Sequence, residues 1–233
     1  MDVGCGRGFL LKAFQSRGWE VFGTELSDQA AAYASQVLHL SVRAGTLEEL
    51  NLPADHFDAV VMWHVLEHLA DPRPTLAEVN RVLKPGGVFL VGVPNFGGWE
   101  ARLCRDKWFH LDVPRHLTHF TCETLGSALE ATGFRIQKRY GFAPEYDFFS
   151  FIQSFLNRLG LRRNLLYEFL RGRGAKMFAK DPAPGWQVAA TMLLSVPIGI
   201  LSVPFTALAV LLGQTGTMTV LAIKERSANP PLE

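Results

Sequence analysis

The first half of the chain alternates short β-branched or aromatic runs with longer stretches whose apolar positions recur every three or four residues. Short runs at 1–3, 19–24, 40–44, 57–63 and 88–93 predict five strands. Helical spacing fills 9–17 and 28–38, and again the stretch after Asp71-Pro72, where Leu76, Val79, Val82 and Leu83 recur. Asp71 reads as an N-cap with proline at the first helical position, and Lys84-Pro85-Gly86-Gly87 is expected to stop that helix. Further on, Thr121 is expected to cap a helix that runs through Ala131 to a C′ glycine, Gly133, before a sixth strand at 134–142. This alternation predicts an α/β fold, a parallel sheet covered on both faces. The next run with strand character is 217–223. The chain therefore divides into a core at 1–142, a helical insertion at 143–216, and a last core strand with its tail at 217–233.

Chemistry enters with the turn after the first strand. Asp2-Val3-Gly4-Cys5-Gly6-Arg7-Gly8 places three glycines two apart between a strand and a helix. Glycine lets backbone approach a ligand, and the N–H groups of a helix start favour an anionic group. A dinucleotide fingerprint is Gly-x-Gly-x-x-Gly; here the third glycine comes one residue early and an aspartate stands two before the first. Glu25, closing the second strand, can accept hydrogen bonds from both hydroxyls of a ribose.

The pattern Asp-x-Gly-x-Gly-x-Gly resembles the cofactor loop of class I S-adenosylmethionine-dependent methyltransferases. His64-Val65-Leu66-Glu67-His68-Leu69 and Leu83-Lys84-Pro85-Gly86-Gly87 fit the same family, especially its ubiquinone-biosynthesis-like and general small-molecule branches. Together these motifs run over residues 1–95 without a gap. The resemblance implies a Rossmann-like seven-strand sheet, mostly parallel with an antiparallel last strand. It also implies S-adenosylmethionine as cofactor and methyl transfer by in-line displacement, in which the enzyme mainly aligns the acceptor. On the same resemblance the cofactor lies against Asp2, Gly4, Cys5, Gly6, Gly8, Glu25, Leu26, Thr46, Leu47, Trp63 and His64. Asp2, Gly4 and Gly6 cradle the methionine end, Glu25 holds the ribose, and Thr46 and Leu47 lie where the adenine is covered, although the family commonly has an acid at the position of Thr46. Cys5 reads as packing within the loop. Since the family's first strand is longer than 1–3, this strand is expected to be truncated and the cofactor held more weakly than in a form extended upstream.

Composition changes this picture little. At 233 residues and 48% hydrophobic the chain can bury a sizeable core, and a net charge of +1 gives no reason to expect nucleic acid. The Asn/Asp-Pro-Pro-Tyr/Phe tetrapeptide of nucleic-acid methyltransferases is also missing after the fourth strand, which reads Trp63-His64-Val65-Leu66. Three cysteines without metal-ligand spacing point to a reduced, cytoplasmic protein.

The acceptor side is expected after the fifth strand. Asn95 and the run from Trp108 to Phe120 bring together His110, His116, His119, Arg115 and several aromatics. Histidine is suited to removing a proton from a hydroxyl or amine. Arg115 could pair with an acidic substrate group, and Trp108 and Asn95 could line its pocket. The run Trp…Pro-Arg-His-Leu…His-Phe also resembles a widespread branch of the same methyltransferases. The plainer reading is that the histidines hydrogen-bond loop backbone, with Trp108 and Phe120 as core. The three histidines lack the further ligand that would complete a metal site.

The insertion has two parts. Phe148, Phe149, Phe151, Ile152, Phe155, Leu156 and Leu159 recur at helical spacing, with Arg158, Arg162, Arg163, Arg171, Arg173, Lys176 and Lys180 nearby against Glu168. No charged residue then occurs from Pro182 to Ile223. A helix of that length could cross a bilayer, but Pro197 and Pro204 are expected to break it, and a crossing would strand 217–223 away from its sheet. Peripheral contact of 148–213 with a membrane surface, and a soluble lid or dimer interface, both satisfy these constraints. Methyl transfer to oxygen of a small or lipid-like acceptor is the expected activity; the alternative is a catalytically silent scaffold binding a membrane or partner through the insertion.

Overall fold

A computed structural model describes residues 1–141, 143–172 and 183–225. The predicted end of the sixth strand at Phe142, and the basic residues Arg173, Lys176 and Lys180, lie outside the described residues. Two compact units result. The first comprises 1–93, 123–140 and the chain from 219 onward; the second comprises 94–122 and 141–218. The second unit thus takes in the segment after the fifth strand as well as the insertion.

The first unit is built on a seven-stranded sheet of order β3-β2-β1-β4-β5-β7-β6. Its strands are β1 (Asp2–Val3), β2 (Gly23–Glu25), β3 (Val42–Ala44), β4 (Phe57–Trp63), β5 (Leu83–Pro94), β6 (Phe134–Tyr140) and β7 (Thr217–Lys224). Strands β1 to β5 pair in parallel, and β7 runs antiparallel to β6. β2 and β3 are shorter than the runs 19–24 and 40–44 predicted. β1 has two residues, and the amine of Met1 donates to the carbonyl of Ala59 at 2.8 Å.

Helices α1 (Phe9–Gln15), α2 (Asp28–Ala32), α3 (Arg73–Val82) and α5 (Cys122–Ala131) fall where periodicity placed them. Ser27 caps α2 by accepting from the N–H of Ala30, and a π turn at Tyr33–Val37 finishes it. In α3 the cap shifts by one: Pro72 is the N-cap, and Asp71 accepts from the N–H of Arg73. Leu76, Val79 and Val82 bury its apolar face.

One element differs in kind. Lys84-Pro85-Gly86-Gly87 is not a turn before the fifth strand but an irregularity inside it. Pairing jumps from Phe57 with Leu83 to Ala59 with Val88, and Gly86 takes φ +80°. The extra residues are absorbed as a bulge.

The second unit contains α4 (Trp99–Cys104), α6 (Pro144–Arg158), α7 (Leu165–Leu170) and α8 (Gly185–Leu211). The aromatic periodicity of this segment does form a helix, α6, and both of its stripes are buried. Phe151 and Leu156 join Leu161, Leu166 and Ile198 in a core cluster. A second stripe of Ser150, Gln153, Ser154 and Asn157 is buried and hydrogen-bonded. Pro197 and Pro204 also do not break α8, which continues through both. Each proline removes only one N–H donor from the ladder, and the packed face against α6 supplies stability that local propensity lacks.

At the centre of the second unit Glu100 is buried, its Oε1 accepting from Ser150 Oγ at 2.5 Å and Ser154 Oγ at 2.7 Å. Burial pushes its carboxyl up to about 7, with the hydroxyls opposing and Asp147 adding to the rise. A carboxyl raised in the folded state stabilises fully below its unfolded value, and that contribution is lost as pH rises through about 7. Thermal melts should therefore show Tm falling between about pH 4 and about pH 8, a span that covers the ordinary and the raised carboxyl value, with a clearly shallower fall in Glu100→Gln. Parallel profiles for the two proteins would contradict the assignment.

Candidate active site

The glycine loop joins the tip of β1 to α1, and all three glycines take positive φ: +71° at Gly4, +55° at Gly6 and +79° at Gly8. Their surroundings separate their roles. A Cβ on Gly4 would lie 2.6 Å from Val65 Cγ2, and one on Gly8 would lie 2.6 Å from Leu40 Cδ1 and 3.0 Å from Ala34 Cβ. A Cβ on Gly6 would meet nothing within 4 Å. Gly4 and Gly8 are therefore required by the protein's own packing. Gly6 alone faces open space that a ligand can use.

Glu25 ends β2 and is fixed by backbone. Its Oε2 accepts from the N–H of Gly6 at 2.8 Å and its Oε1 from the N–H of Ser27 at 2.8 Å. A carboxylate oxygen has two lone pairs, so each oxygen keeps an acceptor position beyond the bond it already makes. Glu25, Leu26, Gly4, Thr46, Leu47 and His64 line one cavity of about 320 Å³. This lies at the carboxyl ends of the parallel strands, where open α/β sheets hold ligands.

Thr46 and Glu49 form a reciprocal cap: the N–H of Thr46 donates to Glu49 Oε2 at 2.9 Å and that of Glu49 to Thr46 Oγ1 at 3.3 Å. The cavity also takes in Glu48, which accepts from the hydroxyl of Thr75. This acid lies two residues beyond the position where the family pattern expects one. The Thr-x-x-Glu spacing could have disclosed the turn, but nothing local marks Glu48.

His64 sits at the tip of β4 with φ +53°, its N–H donating to the carbonyl of Gly92. Its Nδ1 is 2.9 Å from Oε1 of buried Glu67, which fixes the ring. His68, Val65 and Leu69 line the same cavity. Glu67 and His68 belong to the motif His64–Leu69, but its spacing alone does not show that one braces His64 and the other lines the cavity.

The remaining expected cofactor residues stand apart from the cavity wall. Asp2 is buried in the sheet, where burial, with Glu25 adding, pushes its carboxyl up to about 7 against the opposing Met1 amine. Cys5 packs with Leu11, Ala34 and Leu40, and burial pushes its thiol up to about 12. A neutral thiol there is packing, not a nucleophile. Trp63 lies on Gly92, where a Cβ would be 2.6 Å from Trp63 Cε3.

In the second unit the expected acceptor residues are largely structural. Trp108 is fully buried with Ala101 and Cys104, a core position instead of a pocket wall. Asn95 is buried with its amide used at both ends: Nδ2 donates to the carbonyl of Thr215 at 3.0 Å and Oδ1 accepts from the N–H of Gly97 at 3.0 Å. Arg115 donates to Asp112 at 2.7 Å. His116 donates through Nδ1 to the carbonyl of His110 at 2.7 Å, and His119 through Nε2 to that of Leu111 at 3.0 Å. These bonds match the plainer reading of the loop. Because a carbonyl only accepts, these two nitrogens carry the protons. All three cysteines are free.

Residues 1–91 match the family model described as Methyltransferase domain. A "Probable S-adenosylmethionine-dependent methyltransferase" of Mycolicibacterium smegmatis is 32% identical over 142 residues, covering 60% of this chain and 53% of that protein. A ubiquinone biosynthesis O-methyltransferase of Bradyrhizobium sp. is 36% identical over 106 residues, 43% of this chain and 41% of that one. The chain thus spans about half the length, or less, of these curated relatives. Among solved structures, the [4+2]-cyclase SpnF superposes with a TM-score of 0.60 at 21% identity, over 96% of this chain and 73% of the other, a likeness of fold alone. The glycine loop, Glu25 and the β3-β2-β1-β4-β5-β7-β6 sheet, together with the match over residues 1–91, are those of a class I S-adenosylmethionine-dependent methyltransferase domain. S-adenosylmethionine is the cofactor of that class.

Alanine at Gly6 and at Gly8 should differ. Both incur the left-handed backbone cost of roughly 1–2 kcal/mol, but only Gly8→Ala also collides with Leu40 and Ala34. Differential scanning should show a larger loss of Tm for Gly8→Ala, while Gly6→Ala keeps most of its stability and loses cofactor affinity. Equal losses of Tm would contradict this division of roles.

Proposed function

We propose that the protein transfers the methyl group of S-adenosylmethionine to an oxygen of a small or lipid-like acceptor. The observation that carries this reading is Glu25, held by the amides of Gly6 and Ser27 at the wall of a cavity on the carboxyl ends of the sheet. The residues suit the cofactor: a carboxylate with acceptor positions in reserve matches a ribose diol, and the open face of Gly6 admits a ligand. The bound cofactor supplies a methyl group activated on a sulfonium. The protein then needs to orient the acceptor and accept its proton.

Oxygen as the accepting atom draws support from similarity to ubiquinone biosynthesis O-methyltransferases. His110, His116 and His119 are the candidates for the acceptor's base. Backbone carbonyls hold the rings of His116 and His119 in place within this loop. A cytoplasmic protein in peripheral contact with a membrane through 148–213 fits the apolar surface of α8, and that surface favours the lipid-like form of the acceptor.

Isothermal titration should detect S-adenosylmethionine binding that weakens at least tenfold in Glu25→Ala, consistent with loss of a charge-assisted hydrogen-bonding group. Transfer of labelled methyl to extract metabolites or lipids should then fall on alanine substitution of at least one of the three histidines. Undiminished cofactor binding in Glu25→Ala would overturn the site, and full turnover in all three histidine variants would overturn the base.

A further inference from the structure

We infer that α8 lies flat in the near leaflet of an anionic phospholipid membrane, its outward face in the acyl layer and its first turn at the headgroups. This orientation rests on the membrane contact proposed above and adds its depth, direction and lipid preference.

The helix is inside out. Its buried positions are Thr191, Ile198, Ser202, Thr206 and Ala209, so three of five carry hydroxyls. Its outward positions include Leu193 at 74% exposure, Ile200 at 69%, Val196, Leu201, Val203 and Leu211. Half of the chain's exposed large apolar side chains among the described residues fall on 186–212. Singly scattered apolar residues need no explanation, but a contiguous face of this kind marks a contact surface. Turning hydroxyls toward protein and leucines outward is unfavourable in water and favourable against lipid tails.

Three observations select a bilayer over a second copy of the chain. The outward face carries no charged residue, whereas a protein interface has a polar rim and hydrogen bonds spread through it. Trp186, 64% exposed, stands in the first turn, the place of an interfacial aromatic anchor. Cations flank the same end: the N–H of Arg162 donates to the side chain of Gln187 at 3.0 Å, and Arg158 and Arg163, close to it in the sequence, are exposed, as is Leu159. Arginine stems over apolar surface with their heads at phosphate depth satisfy both groups.

The other side of α8 sets its angle. It packs along α6, with Ile198 and Phe205 against Phe151, Ile152 and Phe155. Because α6 carries a buried, hydrogen-bonded polar stripe, a helix tied to it along this length lies in the interface and does not cross.

The test uses the whole protein and vesicles of phosphatidylcholine with or without phosphatidylglycerol. Sedimentation should show binding that prefers phosphatidylglycerol and weakens with salt. It should weaken roughly fivefold for each of Arg158→Gln and Arg163→Gln, and at least tenfold in Leu193→Lys/Ile200→Lys with Tm unchanged. Lipids brominated near the headgroup should quench the fluorescence that Trp186→Phe removes more strongly than lipids brominated at the chain end. Binding with the reverse quenching order, or without lipid preference, would overturn the orientation but leave membrane contact standing. No binding to either vesicle would overturn the contact itself, as would a dimer in solution that Leu193→Lys/Ile200→Lys dissociates.

Discussion

The first unit depends on one carboxylate. Glu25 joins three pieces of chain that would otherwise end separately: the glycine loop after β1, the tip of β2, and the start of α2. Each oxygen takes one backbone N–H, so the carboxylate is positioned by amides that do not themselves need side chains to be oriented. Glycine is required on one side of this arrangement because the loop runs through three positive φ values in five residues. The result is a charged acceptor fixed at the carboxyl edge of a parallel sheet before any ligand arrives, which reduces the ordering needed on binding.

This part of the molecule was legible in the sequence because backbone geometry, not packing, dictates it. Positive φ demands glycine at fixed spacing, and the acid at the tip of β2 is visible from its position at the end of a strand. The residues missed or misplaced are those whose roles depend on burial. Asn95 and Trp108 follow the fifth strand just as substrate-binding residues would, yet one ties loop to loop and the other fills a core. Neither fate is visible in local spacing. Lys84-Pro85-Gly86-Gly87 carries every helix-stop signal and does stop α3, but the sheet accommodates it as a bulge, a choice made by pairing with β4.

The insertion shows the same limit from the other direction. In α6 the aromatic stripe was legible, but nothing local marks Ser150, Gln153, Ser154 and Asn157 on its other side as a buried stripe. Glu100 and the chain after Asn157 supply the partners that bury it. In α8 nearly every position is apolar, so periodicity could not say which side faces protein. Only the packed structure reveals that the less apolar stripe is the inner one.

The central claim is that the cavity beside Glu25 holds the methyl donor. Hydrogen–deuterium exchange with and without S-adenosylmethionine tests it most directly. The account predicts slowed exchange at the amides of Gly6 and Ser27, which hold Glu25, and at Gly45, Thr46, Leu47, Val65, His68 and Leu69, which line that cavity. A donor that slows exchange instead around the larger cleft of about 640 Å³ near Phe22 and Phe57, or nowhere, would contradict it.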